Sequence, residues 1–284
     1  DGEKPDVLYA HFSLYAGFAA AKIKEKYKIP LMTLEHSSYL MSKSIKKFEA
    51  KCLGDVVKAS DCFAAVSIGL KQAVKEHTGI KNKILVIPNM IDDCFTYYPK
   101  KKHDVFTFLA IGNLNARKRF DLLINSFCDA FSQDDLSVQL IIGGTGEQYE
   151  KLKDMIYRAK RSNQIHLLGK ISRDESLREY INCDCFVLPS SSETFGLVYR
   201  EAMAVGRPII TTDHGGFSKD TWNSSWGMII PVDNASSLIE ALKYMRNNIN
   251  EFDNLIISKE CLQMHSSKVI GEIIESKLDE VRIK

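Results

Sequence analysis

Short apolar segments with the character of β-strands alternate with helical segments along nearly the whole chain. In the first part of the chain, the strand-like segments fall at 7–11, 31–34, 62–66 and 84–87. The helical segments between them fall at about 12–27, 39–59 and 67–77. Strands of this kind separated by helices form a parallel sheet that helices cover on both faces. The alternation therefore predicts an α/β fold.

The alternation is interrupted at residues 88–105, which are rich in Pro and Asn and then become basic, as expected of an exposed connector between domains. A second series of strand-like segments follows, at 106–111, 138–143, 165–168, 185–188, 209–211 and 228–230. We predict two Rossmann-like domains with a cleft between them, over residues 1–95 and 96–266. We expect the final segment, 267–284, to be a helix that packs back on the N-terminal domain.

The first domain has only about four predicted strands and lacks the glycine-rich strand–turn–helix that usually opens such a domain. We therefore expect the N-terminal domain to be incomplete. Roughly three βα units are missing on this interpretation, or about 90 residues at ~30 per unit.

Charge and apolar patterning exclude several classes of protein. The 284 residues correspond to about two domains at ~150 residues each. The 38 Lys and Arg residues nearly balance the 36 Asp and Glu residues, which argues against a dedicated nucleic-acid binder. No apolar run reaches the ~18 residues of a membrane span, and no signal-peptide pattern opens the chain. Because the seven scattered cysteines favour reduced thiols, we expect a cytoplasmic location, and peripheral contact with the inner face of a membrane stays open.

Two turns after predicted strands have residues suited to binding phosphate. Arg117, Lys118 and Arg119 follow the strand at 106–111, and ligands of parallel sheets bind at the carboxyl ends of strands. The turn at 143–146 (GGTG) also lets a ligand approach the backbone, but Tyr149 stands where a dinucleotide-binding motif has its third glycine. Taken alone, these turns are also compatible with a solvated basic loop and an ordinary tight turn.

Residues 188–208 (LPSSSETFGLVYREAMAVGRP) combine a strand end, a polar loop and a helix. Glu193 lies in the loop and Glu201 in the helix; a fully helical stretch between them would separate them by ~12 Å at ~1.5 Å per residue. Such a span suits the two ends of a nucleotide sugar. The N–H groups of Phe195, Gly196 and Leu197 would then point at the diphosphate from a helix N-terminus. A carboxylate can accept hydrogen bonds from two neighbouring hydroxyls of a sugar.

These segments resemble the retaining glycosyltransferases of family 4, the group 1 transferases of GT-B architecture. The resemblance covers nearly the whole chain. Its motifs are the Glu-x7-Glu signature at 193–201, the donor-phosphate motif at 111–118, the interdomain connector at 87–89 and the glycine pair within 213–216. It implies that a hexose-type sugar moves from a nucleotide-diphosphate donor to a glycan or lipid-linked acceptor, with retention of configuration. It also implies no metal ion or other cofactor, an acceptor-side N-terminal domain and a donor-binding C-terminal domain.

The resemblance assigns roles to individual residues. Lys118 matches the family's diphosphate lysine, Glu201 the glutamate that holds the ribose diol, and Glu193 the one that holds hydroxyls of the transferring sugar. The resemblance also implies front-face attack, in which the leaving phosphate assists deprotonation of the acceptor; no carboxylate of this sequence is an obvious nucleophile. The remaining predicted donor-binding residues are Arg117, Thr194, Phe195, Gly196, Leu197 and Ile171, the last flanking the base.

His36 follows a predicted strand and matches the family's cleft-facing histidine near the transferring sugar; His11 has a similar position one strand earlier. Imidazole can hydrogen-bond a sugar hydroxyl or stabilise charge as the glycosidic bond loosens. Two positions depart from the family pattern. Asn113 stands where the family commonly has an arginine, so that Arg117 has to supply its charge, and Arg119 replaces the usual glycine.

Three alternatives stay open at the level of sequence. The first is another enzyme of the same architecture, a nucleotide-sugar epimerase or a phosphorylase. The second is a fragment that binds a nucleotide sugar without catalysis, and the third is an NAD-dependent oxidoreductase. The incomplete glycine pattern at Gly144 argues against the third.

Overall fold

A computed structural model describes residues 4–81, 83–101 and 103–283. The chain divides into two compact units. The first unit contains the residues up to Met90, the tripeptide Glu193–Phe195 and the residues from Ser267 onward; the second contains Ile91–Ser192 and Gly196–Ser266. The sequence predicts boundaries at 95/96 and 266/267 and places 193–195 in the second domain. The acceptor-side and donor-side assignments stay predictions.

The first unit is built on a four-stranded parallel sheet with strand order β1-β2-β3-β4. Every residue of β2 and β3 is buried, as expected for strands covered on both faces. The elements of this unit are β1 Leu8–His11, α1 Phe18–Tyr27, β2 Leu31–Glu35, α2 Lys47–Ala59, β3 Cys62–Ala65, α3 Ile68–Thr78, β4 Ile84–Val86 and α10 Ser267–Arg282.

Two helical predictions in the first unit are wrong at their N-terminal ends. The segment expected at 39–59 consists of a 3-10 turn, Ser38–Met41, and a separate helix α2. Helix α2 starts afresh because the backbone N–H of Lys46 donates to the side chain of Glu49 at 3.0 Å. Helix α1 begins only at Phe18, because the preceding residues Phe12 and Tyr15 have φ of 68° and 69°.

Helix α10 packs into the core of the first unit although it follows the second unit in the sequence. Its apolar residues Ile270, Ile274, Leu278 and Val281 recur at the spacing that places them on one face of a helix. Ile270 and Val281 are 1% and 2% exposed. The apolar stripe of this last helix is therefore buried.

The second unit is built on a six-stranded parallel sheet with order β7-β6-β5-β8-β9-β10. Its strands are β5 Phe106–Ile111, β6 Val138–Gly143, β7 Ile165–Gly169, β8 Cys185–Val187, β9 Ile209–Thr212 and β10 Gly227–Ile230. Its helices are α4 Phe120–Ala130, α5 Tyr149–Arg158, α6 Arg173–Asn182, α7 Leu197–Ala204, α8 Ala235–Asn248 and α9 Asn254–His265. The α/β prediction and the two Rossmann-like units are confirmed.

The strand order of the second unit has one reversal, between β5 and β8. The chain first runs outward from β5 through β6 to β7, and then returns to the other side of β5 to build β8, β9 and β10. At such a reversal, the connections after the two central strands leave in opposite directions and open a crevice at the carboxyl edge of the sheet. The loops after β5 and β8 are therefore where this unit is expected to bind a ligand.

Candidate functional site

The turn after β5 has the predicted basic residues. Asn115 begins a 3-10 turn, Ala116–Lys118, and its side-chain oxygen accepts a hydrogen bond from the backbone N–H of Lys118 at 3.3 Å. Lys118 is only 9% exposed, which is unusual for a lysine. Arg117 is half-buried. The turn thus holds one cationic side chain inside the unit rather than in solvent.

Arg119 stands where the sequence resemblance implies glycine, and its backbone has a conformation that glycine adopts easily. Its φ is 55°, in the left-handed region that costs a residue with a side chain and costs glycine little. The guanidinium of Arg119 forms ion pairs with Asp121 and Asp233. Arg119 therefore adopts the left-handed conformation while two carboxylates hold its side chain.

The glycine turn after β6 packs against the turn after β5. A Cβ atom at Gly144 would overlap the carbonyl oxygen of Gly112, and one at Gly146 would overlap Asn113 and Leu114. The backbone N–H of Gly112 donates to the carbonyl of Gly143 at 3.0 Å. These glycines are therefore required for the close contact between the two loops.

The turn after β5 is tied to the loop after β8, its neighbour at the strand reversal. The carbonyl of Arg117 accepts hydrogen bonds from the backbone N–H of Ser191 at 2.8 Å and from its hydroxyl at 3.1 Å. Beneath the turn, Cε of Lys118 and Cδ2 of Leu188 both lie within 4 Å of where a Cβ of Gly112 would stand. The structure thus brings the basic turn and the start of the 188–208 segment together.

Residues 193–197 differ from the continuous helix that the 12 Å estimate assumes. Helix α7 begins only at Leu197, after Gly196 with φ of 79°, so that the residues from Glu193 to Gly196 form a loop. Glu193 is 6% exposed, Thr194 is half-buried, and Phe195 lies in the hydrophobic core of the first unit. The ~12 Å separation assumed a continuous helix from Glu193 to Glu201, and the structure does not have that helix.

Glu201 lies in α7 with its carboxylate largely buried against α6. The hydroxyl of Tyr180 donates to Oε2 of Glu201 at 2.9 Å. Burial raises the pKa of Glu201 above its ordinary value, and the hydrogen bond from Tyr180 opposes that rise. Within the described part of the chain, this is the only hydrogen bond that the carboxylate makes.

An ion pair and a thiol complete the surroundings of Glu201. Arg173, at the start of α6, pairs with Asp92. Arg173 lowers the pKa of Glu201 and Asp92 raises it, both less than burial does. Burial also raises the pKa of the nearby Cys94 thiol to about 11, so that the thiol is neutral at physiological pH.

Ile171, predicted to flank a nucleobase, lies in the loop between β7 and α6, against the last residue of β6. A Cβ atom at Gly143 would stand 2.5 Å from its Cδ1, so that the absence of a side chain at Gly143 makes room for Ile171. Ile171 is half-buried and packs against the core of the second unit. Its role toward a base stays a prediction.

His36 and His11 lie together at the carboxyl edge of the first unit's sheet. Nδ1 of His11 is 2.9 Å from Nε2 of His36, and the two rings stack with centroids 5.1 Å apart. Burial lowers the pKa of His36, and His11 lowers it further, while a hydrogen bond with Asn89 raises it. His36 is therefore neutral at physiological pH.

Glu35 fixes the loops that present these histidines. It is fully buried, and its carboxylate accepts backbone hydrogen bonds from Ser13 at 2.7 Å, His36 at 2.9 Å and Ser37 at 2.7 Å. The carboxylate of Glu35 thus joins the loop after β1 to the loop after β2. It also holds Ser13 inside the segment that does not become helix.

Sequence reasoning missed Tyr180 and Glu35. Tyr180 occupies an apolar position near the end of α6, and no sequence signal separates it from an ordinary core aromatic residue. Glu35 did give a signal, since it is the one charged residue of its strand and directly precedes His36. A buried strand end with a carboxylate predicts that the carboxylate has backbone partners.

Two features, a cluster of metal ligands and a membrane-spanning helix, are absent from the described residues. Over 4–81, 83–101 and 103–283, no group of three or more His, Cys, Asp or Glu side chains is arranged to hold a metal ion. In that same portion of the chain, no helix is both long and apolar enough to cross a membrane.

Comparison with known families places both parts of the chain. Residues 98–258 match the family model described as glycosyl transferases group 1, more than half of the chain. Residues 1–94 match the model described as Glycosyltransferase Family 4.

Individual relatives agree with these models. An uncharacterized glycosyltransferase of Methanocaldococcus jannaschii is 31% identical over 87% of this chain and 67% of its own length. A glycogen synthase of Mycobacterium tuberculosis is 25% identical over 84% of this chain and 60% of its own length. The chain thus spans about two thirds of the length of the first relative and less of the second.

Among solved structures, an Anabaena protein in complex with UDP and glucose has a TM-score of 0.82 and 18% identity. The match covers 97% of this chain and 78% of that one. At this identity, the likeness is evidence for the fold alone.

Proposed function

Because the chain belongs to the glycosyl transferases group 1 family, we propose that it transfers a hexose-type sugar from a nucleotide-diphosphate donor to a glycan or lipid-linked acceptor. The proposed transfer retains the anomeric configuration and needs no metal ion. The observation that carries the proposal is the location of Lys118. This lysine is buried in the turn after β5, which is tied to the loop after β8 at the one reversal of the strand order.

In the proposed reaction, the bond between the anomeric carbon and the diphosphate breaks and negative charge grows on the phosphate oxygens. Lys118 and Arg117 stabilise that charge, together with backbone N–H groups of residues 195–197 at the start of α7. Thr194 contacts the same group. A buried cation is effective here because it is already oriented before the charge develops.

The two ends of the donor are assigned to the acidic residues. Glu201 holds the ribose hydroxyls and Glu193 holds hydroxyls of the transferring sugar, while Ile171 flanks the base. Support for the role of Glu201 comes from its carboxylate, which has one hydrogen bond and therefore keeps acceptor capacity for a diol. Burial of Glu193 supports a specific contact over a solvated one.

His36 contributes on the acceptor side of the proposed reaction. The sugar becomes positively charged as the leaving group departs, and a cationic imidazole nearby would oppose that change. Burial and His11 keep His36 neutral, so the ring can hydrogen-bond a sugar hydroxyl without adding charge. The acceptor hydroxyl attacks from the front face and gives its proton to the leaving phosphate.

Binding of nucleotide sugars tests the donor site. Because the Anabaena neighbour has UDP bound, UDP-sugars are tried first, followed by GDP- and ADP-sugars, by thermal shift and then calorimetry. Replacing Lys118 with Ala is expected to weaken donor binding by about tenfold or more, the scale of one charge-assisted hydrogen bond. Lys153→Ala, which removes an exposed lysine of α5, is the matched control. Equal affinity of the two variants would contradict the site.

Removal of divalent cations tests the metal-free mechanism. Nucleoside diphosphate release from the preferred donor is expected to continue unchanged in excess chelator, because cationic side chains and N–H groups replace the metal ion. Activity that is lost in chelator and returns with Mg²⁺ or Mn²⁺ would contradict this part of the proposal.

A further inference from the structure

Tyr180 is the buried side chain that touches the carboxylate of Glu201. It is 0% exposed, and its hydroxyl donates to Oε2 at 2.9 Å. The ring has edge-on contact with Phe95 at a centroid distance of 5.8 Å and a tilted contact with Phe186 at 5.7 Å. Because the ring is fully buried and packs against these two aromatic rings, its hydroxyl cannot turn away from Glu201 without disturbing the core.

The backbone of Tyr180 is also held in place. The guanidinium of Arg207, itself 0% exposed, donates from Nε to the carbonyl of Tyr180 at 3.1 Å and from Nη2 to that of Ile181 at 2.8 Å. The same guanidinium donates from Nη1 to the carbonyls of Tyr98 and Val205. A single buried cation therefore fixes the end of α6 against the end of α7, the helix that contains Glu201.

We infer that Tyr180 is a positioning residue for ribose recognition, whose hydroxyl fixes Oε2 of Glu201 so that Oε1 accepts hydrogen bonds from both hydroxyls of the donor's ribose. This inference rests on the proposed function, in which Glu201 holds the ribose. One carboxylate oxygen has lone pairs for two donors. A carboxylate tied at one oxygen presents the other in one orientation, and so less conformational freedom is lost when the diol binds.

Discrimination against 2′-deoxyribose is the functional consequence. A ribonucleotide supplies two hydroxyls to Oε1, and a 2′-deoxyribonucleotide supplies one. A hydrogen bond to a charged acceptor is worth about tenfold or more in affinity, provided that the acceptor is correctly placed. With the Tyr180 hydroxyl removed, Glu201 can rotate, and the two nucleotides are expected to bind more nearly alike.

The charged and titratable groups around Glu201 give a second, independent readout. These groups are Tyr180 and Arg173 on α6, and Asp92 and Cys94 on the segment that begins the second unit. Tyr180 and Arg173 lower the pKa of Glu201, whereas Asp92 raises it. Removing the Tyr180 hydroxyl removes one stabilising partner of the carboxylate, so the pKa of Glu201 rises further. As the pH is lowered, the affinity of Tyr180→Phe for the nucleotide should therefore begin to fall at a higher pH than the affinity of the unaltered protein does.

The test compares Tyr180→Phe with Tyr199→Phe. Both replacements delete one buried hydroxyl and keep the ring, since Tyr199 is 0% exposed and its hydroxyl donates to the carbonyl of Leu188 at 2.6 Å. The probes are UDP, GDP and ADP with their 2′-deoxy forms, measured by calorimetry from pH 5 to pH 8 (about one reading per half unit of pH). For the probe that binds most tightly, the ribo/deoxy affinity ratio is expected to be about tenfold in the unaltered protein and in Tyr199→Phe, and about threefold or less in Tyr180→Phe.

The outcomes separate the inference from the proposed function. If all three nucleotides fail to bind the unaltered protein, the proposed function is wrong and the inference falls with it. If they bind, and Tyr180→Phe keeps the ratio and the pH profile of the unaltered protein, only the inference is wrong. An equal loss of affinity for the ribo and deoxy forms would also overturn it, because a merely structural role predicts that result.

A measurement on the unaltered protein covers the case in which Tyr180→Phe does not fold. Labelling the hydroxyl-bearing ring carbon of all 11 tyrosines allows the Tyr180 resonance to be assigned by comparison with Glu201→Gln. That resonance is expected to move on addition of the ribonucleotide and to move less with the 2′-deoxy form. Identical shifts with the two nucleotides would contradict the inference.

Discussion

The two units hold together the loops at the carboxyl edges of their sheets by different means. In the first unit, the buried carboxylate of Glu35 collects backbone hydrogen bonds from the loops after β1 and β2. In the second unit, Gly144 lets the loops after β5 and β6 pack backbone against backbone. Glu201, a buried carboxylate of the second unit, has one hydrogen bond, from Tyr180. A buried glutamate with its partners in the protein holds a loop, and one with a single partner keeps capacity for a ligand.

Replacing Gly144 with Ala should have the largest effect and tests how the second unit closes its edge. The new Cβ would overlap the Gly112 carbonyl oxygen, and the residue has φ of 136°, so the two loops must separate. We expect a loss of more than about 4 kcal/mol in the free energy of unfolding. Gly79→Ala is the matched control, because Gly79 has φ of 71° but nothing within 4 Å of the new atom. The control should lose about 1 kcal/mol in urea unfolding; equal losses would show that packing against Gly112 is unimportant.

Replacing Glu35 with Gln tests how the first unit closes its edge. Glutamine keeps one acceptor oxygen and turns an NH₂ group toward backbone N–H groups that Glu35 now satisfies. The expected loss is about 3 kcal/mol by urea unfolding, since a buried hydrogen-bond donor loses its partner. Glu49→Gln changes a solvent-accessible carboxylate that also accepts a backbone hydrogen bond, from Lys46, and should cost clearly less, because water can satisfy a freed N–H group there. If Glu35→Gln loses no more stability than Glu49→Gln, the carboxylate of Glu35 does not hold the loops of the first unit together.

Acid should weaken both units, and more strongly the second. Burial lowers the pKa of His265 to about 3 from 6.5, and Arg200 contributes to the shift. Between these values the unfolded chain binds a proton that the folded chain does not, so stability falls as pH drops below 6.5. Between pH 7 and pH 5, His265 should lower the free energy of unfolding by about 2 kcal/mol.

Urea unfolding of His265→Gln and His36→Gln at both pH values checks the comparison. Burial also lowers the pKa of His36, so that His36 too makes the folded protein less stable as the pH falls. We expect His265→Gln to remove most of the acid loss and His36→Gln a smaller part. A loss that is unchanged in His265→Gln would mean that its imidazole does not remain neutral in the folded protein.

The parts that sequence predicted are those with a repeating or local physical cause. The strands were predicted because apolar residues in parallel sheets form short continuous runs, and the basic turn after β5 because Arg117 and Lys118 follow such a run. The contact between Tyr180 and Glu201 could not be predicted, because it joins two helices through packing that leaves no pattern in either. The segment 12–17 was predicted as helix because the helical segment ending at Tyr27 was taken to follow the first strand directly. In the structure, a residue distant in sequence, Glu35, accepts the backbone N–H of Ser13 in this segment, and no local pattern announces that contact.

The smallest effect concerns the stability of the unit that contains Glu201. Burial raises the pKa of Glu201, so the folded protein binds a proton more tightly than the unfolded chain does. Stability therefore falls as pH rises from the ordinary value of 4.5 through the folded pKa, and above it the buried charge remains a cost. Glu201→Gln keeps an acceptor for Tyr180 and removes the charge. The variant should be slightly more stable than the unaltered protein at pH 7, equal to it near pH 4, and weaker in nucleotide binding. Lower stability at pH 7 would mean that Glu201, like Glu35, is held for the fold, and the contrast between the two carboxylates would fail.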